Sequence, residues 1–349
     1  MLRSKTVFVL GAGASKEANL PIGSELRKII AKRLEFKFDT SDHLQGSGDR
    51  KLFEMLNSKY RNEINNYLKA CRVIRDGIIH ADSIDDFIDD HKNNEYVVVC
   101  GKLAIFSSIL EAERNSKLYY KDTHIDNTIN FNDIEDTWYS KFFKLIAKNI
   151  SNDKIQDIFK NISVISFNYD RCLEHYLVHA TASKYAISLN DAEELVKKLT
   201  IYHPYGVIGE YFNNTGKPRV KFGEYTYNSF SIDSIISNIK TYTEEVEQGY
   251  ELINIQNGLK ESDVIVFLGM AYHPQNMSLL ENGFPKRIFA TCYEISDSDK
   301  TEIQSMFYRL YCRGNMPPIV VGNKHFINFA KKCSDLFSEY RISLSSSPW

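Results

Sequence analysis

Six short apolar stretches are the feature of this sequence that most restricts its fold. Each is rich in β-branched residues and is bounded by Gly, Pro, Asn or Asp, which is typical of strands. Their apolar residues are nearly continuous rather than alternating, so both faces of the strands should be covered. The six predicted strands are residues 5–11, 161–168, 199–206, 263–269, 286–295 and 317–322.

Amphipathic segments separate most of these strands. Residues 191–199 begin with acidic and end with basic side chains, as a helix dipole favours, and residues 301–311 have helical apolar spacing. Alternation of strands and helices indicates βαβ crossovers. The sequence therefore predicts an α/β fold with a Rossmann-like, mostly parallel sheet of about six strands and helices on both faces.

The connection between the first two strands is much longer than the others. It contains roughly 150 residues, in which apolar side chains recur at three- and four-residue spacing. We predict an inserted helical subdomain over residues 23–159, a sheet core over 1–22 and 160–342, and a frayed tail over 343–349. The predicted helices of the insertion are 23–36, 49–78, 83–91, 95–115 and 133–150.

The composition excludes several classes of protein. The chain has 43 Lys and Arg against 45 Asp and Glu, so charge gives no reason to expect direct nucleic-acid binding. No apolar run reaches the roughly 18 residues of a membrane span, and no signal peptide is recognisable, so we expect a cytoplasmic protein. The six cysteines form no C-x-x-C pair, and neither zinc nor another metal is expected.

A glycine turn follows the first predicted strand, in the sequence FVLGAGASKEANLPIG of residues 8–23. Gly11 and Gly13 would let the backbone approach an anion at the start of a helix. The third glycine of a dinucleotide fingerprint is replaced by Lys16, and no acidic residue closes a second strand about 20 residues later. Nucleotide binding is favoured over a purely structural turn, whereas an ordinary nicotinamide dehydrogenase is disfavoured.

Three other strands end in polar residues, in the sequences SFNYD (166–170), YHPYG (202–206) and FLGMAYH (267–273). Ligands of open α/β sheets collect at the carboxyl ends of the strands, so these side chains should converge. These polar residues also have a purely structural interpretation. Asn168 and Asp170 could cap the next helix, and His203 could be a structural histidine.

Together with the glycine turn, these motifs resemble, in order, those of the sirtuin family of NAD-consuming enzymes. The resemblance implies that Asn168 holds the nicotinamide ribose and a water, that Asp170 contacts the nicotinamide carboxamide, and that His203 is the general base. The pyrophosphate and its ribose would be lined by Gly11, Ala12, Gly13 and Ser15.

The resemblance also implies roles for residues after the fourth predicted strand and for the segment that follows the glycine turn. Gly269, Met270 and Ala271 would lie against the adenosine ribose. Asn19 and Pro21 fall where sirtuins carry a flexible loop over the nicotinamide, but the following residues depart from the Asp-Phe-Arg of the deacylases.

The missing zinc cysteines and the helical insertion resemble the zinc-less bacterial sirtuin-like NAD hydrolases of antiphage systems. That resemblance implies an NAD glycohydrolase that depletes NAD when it is activated within a homo-oligomer or with a partner such as a hexameric ATPase. Two alternatives stay open: an NAD-dependent protein deacylase, and a module that binds NAD or ADP-ribose without turnover.

The segment HADSIDDFIDDH (80–91) contains two histidines and five aspartates. Carboxylates bind hard cations, but Ser83 followed by Asp86, with apolar residues at helical spacing, indicates a capped amphipathic helix. The helix is the favoured interpretation. By the sirtuin resemblance, such a helix borders the site.

Overall fold

The computed structural model describes most of the chain. The described residues are 2–39, 44–45, 47–121, 127–212, 220–224, 231–244, 250–281, 286–312, 320–321, 324–325 and 327–346.

A six-stranded, entirely parallel sheet forms the centre of the fold, which confirms the predicted α/β class. In space the strands follow the order β3-β2-β1-β4-β5-β6, that of a doubly wound nucleotide-binding sheet. The strand order reverses between β1 and β4, so the topological switch point of the sheet lies at the carboxyl ends of these two strands. The strands are β1 Thr6–Leu10, β2 Ile162–Ser166, β3 Thr200–Tyr202, β4 Val264–Leu268, β5 Arg287–Thr291 and β6 Ile327–Ala330.

The sixth strand was predicted in the wrong place. Val320–Val321, within the predicted strand 317–322, pairs antiparallel with Lys324–His325, outside the main sheet. Residues 317–319 and 322 lie outside the described residues. The true edge strand, β6, includes Asn328, whose Nδ2 donates to the Ile288 carbonyl at 3.1 Å. An edge strand is only partly covered, so it lacks the continuous apolar run that marks the inner strands.

Helices occupy most of the remaining described chain. The predicted helix 49–78 is divided into α3 and α4 by a short 3₁₀ turn at Arg61–Glu63. There the ring of Tyr60 stacks on Tyr67 with centroids 4.2 Å apart, a contact that favours the bend. The helices are α1 Ala12–Lys16, α2 Gly23–Arg33, α3 Arg50–Lys59, α4 Ile64–Gly77, α5 Ile84–Asp90, α6 Glu95–Arg114, α7 Trp138–Ile146, α8 Cys172–Tyr185, α9 Leu189–Val196, α10 Ile232–Asn238, α11 Tyr250–Glu261, α12 Pro274–Ser278, α13 Asp297–Cys312, α14 Cys333–Glu339 and α15 Arg341–Ser345.

Hydrophobic clusters cover both faces of the sheet, as the continuous apolar strands predict. Val7 and Val9 of β1 belong to a cluster that also contains the buried residues of α2 to α6. Phe8 and Leu10 belong to a second cluster with α7, α8 and α14, and the rings of Phe8 and Phe142 lie 4.9 Å apart. The helices between β1 and β2 therefore contribute to both layers, whereas the exact bounds of the inserted subdomain stay a prediction.

Residues 343–345, within the predicted tail, belong to α15. Leu344 of α15 is buried, and the Arg287 guanidinium donates to the Ser343 carbonyl at 3.0 Å. Residues 347–349 lie outside the described residues. In the part of the chain that is described, no helix combines the length and apolar character needed to cross a bilayer.

Candidate functional site

The turns that follow β1 and β4 are joined at the switch point of the sheet. Gly11 N donates to the Leu268 carbonyl and Gly13 N to the Gly269 carbonyl, both at 2.9 Å. A Cβ on Gly11 would lie 2.6 Å from the Gly269 oxygen. Gly269 has φ +63°, and its own Cβ would lie 2.0 Å from Ala14 N. These glycines are therefore required for close contact between the two turns.

Ser15 links the glycine turn to the end of β2. Its hydroxyl donates to Asp170 Oδ2 at 2.7 Å, and Asn168 Nδ2 donates to Ser15 Oγ and to the Gly11 carbonyl, both at 3.0 Å. The three side chains are at most 8% exposed. The structure thus brings Gly11, Ser15, Asn168 and Asp170 together in one hydrogen-bonded cluster, which we call the switch-point cluster.

Asp170 precedes Arg171, the N-cap residue of α8, and its Oδ1 accepts from Cys172 N, at the first residue of the helix, at 3.1 Å. The carboxylate therefore also has a structural role at the start of α8. Burial raises the pKa of Asp170 above its ordinary value, and the bonds from Ser15 and Cys172 only partly oppose that shift.

His203 follows β3 and lies beside the switch-point cluster. Its Nδ1 is 3.3 Å from the Asn168 carbonyl oxygen, and its Nε2 is 3.0 Å from Glu174 Oε1. Burial acts to lower the pKa of His203, but the bond to Glu174 and the charges of Glu174 and Glu251 outweigh it, so the pKa is raised. Sequence reasoning missed Glu174, although it stands four residues after Asp170, in the first turn of α8.

The remaining predicted residues are placed less uniformly. Met270 is buried, and its sulfur would lie 2.9 Å from a Cβ placed on Gly11. Ala271 is exposed and Ala12 is half-buried. Asn19 is exposed and donates to the Asn115 carbonyl at 3.4 Å, near the end of α6. Among the described residues, no side-chain hydrogen bond joins Asn19 or the half-buried Pro21 to the switch-point cluster.

The acidic helix α5 borders this end of the sheet. Ser83 Oγ accepts from Asp86 N at 3.0 Å, which confirms the predicted cap. Tyr169 OH donates to Asp85 Oδ1, which places α5 beside the end of β2. Burial raises the pKa of Asp85 to about 6 despite the bond from Tyr169. The described residues contain no group of three His, Cys, Asp or Glu side chains arranged to hold a metal.

A buried ion pair includes Arg171, the residue that follows Asp170 of the cluster. Arg171 Nη2 is 2.5 Å from Glu113 Oε2, and both side chains are fully buried. Glu113 Oε1 also accepts from Arg171 Nε at 3.1 Å, and its Oε2 accepts from Gly223 N at 3.1 Å. The pair ties α6 to the start of α8 and to the segment 220–224.

Two surface cavities, of about 300 and 320 Å³, lie away from the cluster. The first is lined by residues such as Asn152 and Lys198, and the second by Tyr120, His179 and Phe222 among others. Neither has a predicted site residue in its lining. In the described conformation the cluster is buried, and its polar side chains bond to one another.

Comparison with known proteins gave no match, either to a protein-family model or to a curated protein. Fold and site together define an α/β protein with a doubly wound parallel sheet and a polar cluster at its topological switch point.

Proposed function

We propose that the protein is an NAD hydrolase that cleaves the bond between nicotinamide and ribose, giving nicotinamide and ADP-ribose. The observation that carries the proposal is the meeting of Ser15, Asn168, Asp170 and His203 at the switch point. Doubly wound sheets bind their ligands there, and the residue types suit this chemistry.

The reaction requires positioning and charge placement more than a strong nucleophile. Nicotinamide leaves as a neutral group from a pyridinium, so the transition state resembles an oxocarbenium ion. Asp170 would orient the carboxamide, Asn168 would hold ribose hydroxyls and a water, and His203 would take a proton from one of them. Asn168 and Asp170 bond to Ser15, so substrate must replace part of this bonding.

The turns after β1 and β4 would hold the rest of the dinucleotide. Ala12, Gly13 and Ser15 would approach the pyrophosphate at the start of α1, while Gly269, Met270 and Ala271 would lie against the adenosine ribose. The segment with Asn19 and Pro21 would close over the nicotinamide.

An unrestrained NAD hydrolase would deplete the NAD of its own cell. We therefore propose that the activity is released within a homo-oligomer, or within a complex with a partner such as a hexameric ATPase. The biological setting would be bacterial antiphage defence in the cytoplasm, with the tyrosine-rich helices between β1 and β2 as the contact surface. A monomer in light scattering with full activity would exclude regulation by assembly.

The test is incubation of the purified chain with NAD, followed by chromatography of nicotinamide and ADP-ribose. We expect both products in equal amounts, loss of turnover in Asn168→Ala, and unchanged turnover in the control Glu194→Gln, which alters an exposed side chain of α9. NAD binding without products, alone and with candidate partners, would contradict hydrolysis and favour the binding module. Release of O-acyl-ADP-ribose from an acetylated peptide would favour the deacylase.

A further inference from the structure

Each ring nitrogen of His203 faces an oxygen that can only accept a hydrogen bond. Nε2 faces the carboxylate of Glu174 at 3.0 Å, and Nδ1 faces the carbonyl oxygen of Asn168 at 3.3 Å. Both contacts are hydrogen bonds only if both nitrogens carry hydrogens, as they do in the imidazolium. When His203 is protonated, both of its nitrogens can donate, one to the Glu174 carboxylate and one to the Asn168 carbonyl.

The two contacts respond differently when His203 loses a proton. The bond at Nε2 is the shorter one and has a charged acceptor, so its hydrogen is retained. The proton that leaves is therefore the one on Nδ1. The Nδ1 lone pair would then oppose the lone pairs of the Asn168 carbonyl, so this nitrogen favours a new partner that donates, such as a hydroxyl or a water.

The two ring nitrogens of His203 point to different parts of the fold. Nε2 points to α8, where Glu174 is buried, while Nδ1 points to the strand end that carries Asn168. Nδ1 is therefore the nitrogen on the side of the switch-point cluster. A carboxylate that holds the far nitrogen of a histidine sets both the tautomer and the orientation of the ring.

We propose that Glu174 is a positioning residue that fixes His203 in the Nε2–H tautomer, so that Nδ1 is the atom that accepts the proton during the reaction. In that step an O–H bond of a ribose hydroxyl or water breaks and the Nδ1–H bond forms. Glu174 stays ionised and stabilises the imidazolium. The identity of the proton donor rests on the proposed function, whereas the tautomer does not.

Two other charged groups lie near His203. Glu251 raises the pKa of His203, as Glu174 does, and Arg171 is paired with another residue. Glu251 of α11 accepts from the His203 backbone N at 2.9 Å, and its second oxygen lies 3.3 Å from Lys240 Nζ. Arg171, next to Glu174's turn of α8, is paired with Glu113. Glu174 is the carboxylate that contacts the ring itself.

The test is a two-bond ¹H–¹⁵N correlation spectrum of the chain with ¹⁵N-labelled histidines, recorded across pH. The chain has nine histidines, and a His203→Gln variant identifies the signals of His203. We expect the neutral form of wild-type His203 to carry its hydrogen on Nε2. In Glu174→Gln, whose amide can also donate, we expect a mixture of tautomers and a midpoint lower by about one pH unit.

Glu194→Gln, on the exposed side of α9, is the matched control and should leave the His203 signals unchanged. An Nδ1–H tautomer in the wild type would overturn the proposal, as would a Glu174→Gln spectrum identical to the wild type. The wild-type spectrum alone decides the tautomer, so the test does not depend on the folding of the variant.

Kinetics separate this proposal from the proposed function. If NAD is cleaved, kcat should rise with pH through the His203 midpoint. Glu174→Gln should lower kcat with little change in KM, and the rise of kcat with pH should occur at lower pH than in the wild type. Glu174→Asp should restore part of the rate. Cleavage together with an Nδ1–H tautomer would refute the role of Glu174 alone. The Nε2–H tautomer without cleavage would refute the proposed function alone.

Discussion

Two ion pairs involve residues at the start of α8, Arg171 with Glu113 and Glu174 with His203, and their surroundings differ. Glu113 pairs with Arg171 where both side chains are 0% exposed, while Glu174 pairs with His203 where the exposures are 8% and 13%. Arginine stays charged at any physiological pH, whereas histidine changes charge near neutrality. The first pair can only hold the fold together, and the second can also exchange a proton.

The hydrogen bonds of the buried pair explain its structural role. Besides Glu113, Arg171 contacts the carbonyls of Val220 and Lys221, so its guanidinium is enclosed by protein acceptors. Such a pair adds little stability relative to a well-packed apolar replacement, but removing one partner leaves an uncompensated buried charge. The difference between the two pairs can therefore be measured through single substitutions.

The largest effect is expected from Glu113→Gln. It leaves the Arg171 charge buried without a counter-charge, so the free energy of unfolding should fall by about 3–5 kcal/mol in urea unfolding followed by circular dichroism. The control is Glu135→Gln, which breaks a 3.0 Å pair with Lys144 whose side chains are 66% and 63% exposed. That control should cost less than about 1 kcal/mol. Equal losses in both variants would show that burial does not distinguish them.

Gly269→Ala should have the next largest effect, because it acts on the contact between the two turns. The left-handed φ of +63° and a Cβ 2.0 Å from Ala14 N force the turns apart, which should lower the free energy of unfolding by about 2 kcal/mol or more. Gly258→Ala is the matched control, since nothing lies within 4 Å of its Cβ in α11. There alanine should stabilise by roughly 0.5–1 kcal/mol. A neutral Gly269→Ala in thermal or urea unfolding would refute the close contact.

The ionisation of Asp85 should have a smaller effect on the free energy of unfolding, and that effect depends on pH. The hydrogen-bonding partner of Asp85, Tyr169, is neutral and supplies no counter-charge. Its pKa is raised from 3.8 to about 6, so the protonated form is favoured in the folded state. The resulting stability is present below about pH 3.8 and is lost as the pH rises through about 6.

Asp85→Asn removes this ionisation. The free energy of unfolding of the wild type, measured relative to this variant, should therefore fall between pH 4 and pH 7.5 by on the order of 1 kcal/mol. Asp90→Asn, at an exposed position of the same helix, is the matched substitution that leaves Asp85 in place. A difference for Asp85→Asn that does not change with pH would contradict the pKa shift.

The inner strands and their parallel arrangement could be predicted from the sequence, whereas the two pairs could not. Continuous apolar runs mark the inner strands, and Asn168, Asp170 and His203 were predicted to converge because each follows such a strand. The Arg171–Glu113 and His203–Glu174 pairs depend on which helices pack together, and the partners lie 58 and 29 residues apart in the chain. Nothing local in the sequence specifies that distance in space.

The glycine turn shows a second limit of sequence reasoning. The pattern GAGAS predicts close backbone approach, and the structure has it, but the approaching group is the backbone of Gly269. A glycine in the sequence indicates that another group comes close to the backbone, but it does not indicate which group that is. Whether Gly11 and Gly13 also approach a pyrophosphate therefore stays a prediction.

The measurement that tests the central proposal most directly is the rate of nicotinamide release from NAD by His203→Ala and Glu194→Gln, alongside the wild type. Equal folded fractions should first be verified by circular dichroism. A general base predicts a roughly 10²–10⁴-fold lower rate in His203→Ala and an unchanged rate in Glu194→Gln. Equal rates in all three proteins would contradict catalysis by His203 at the switch point.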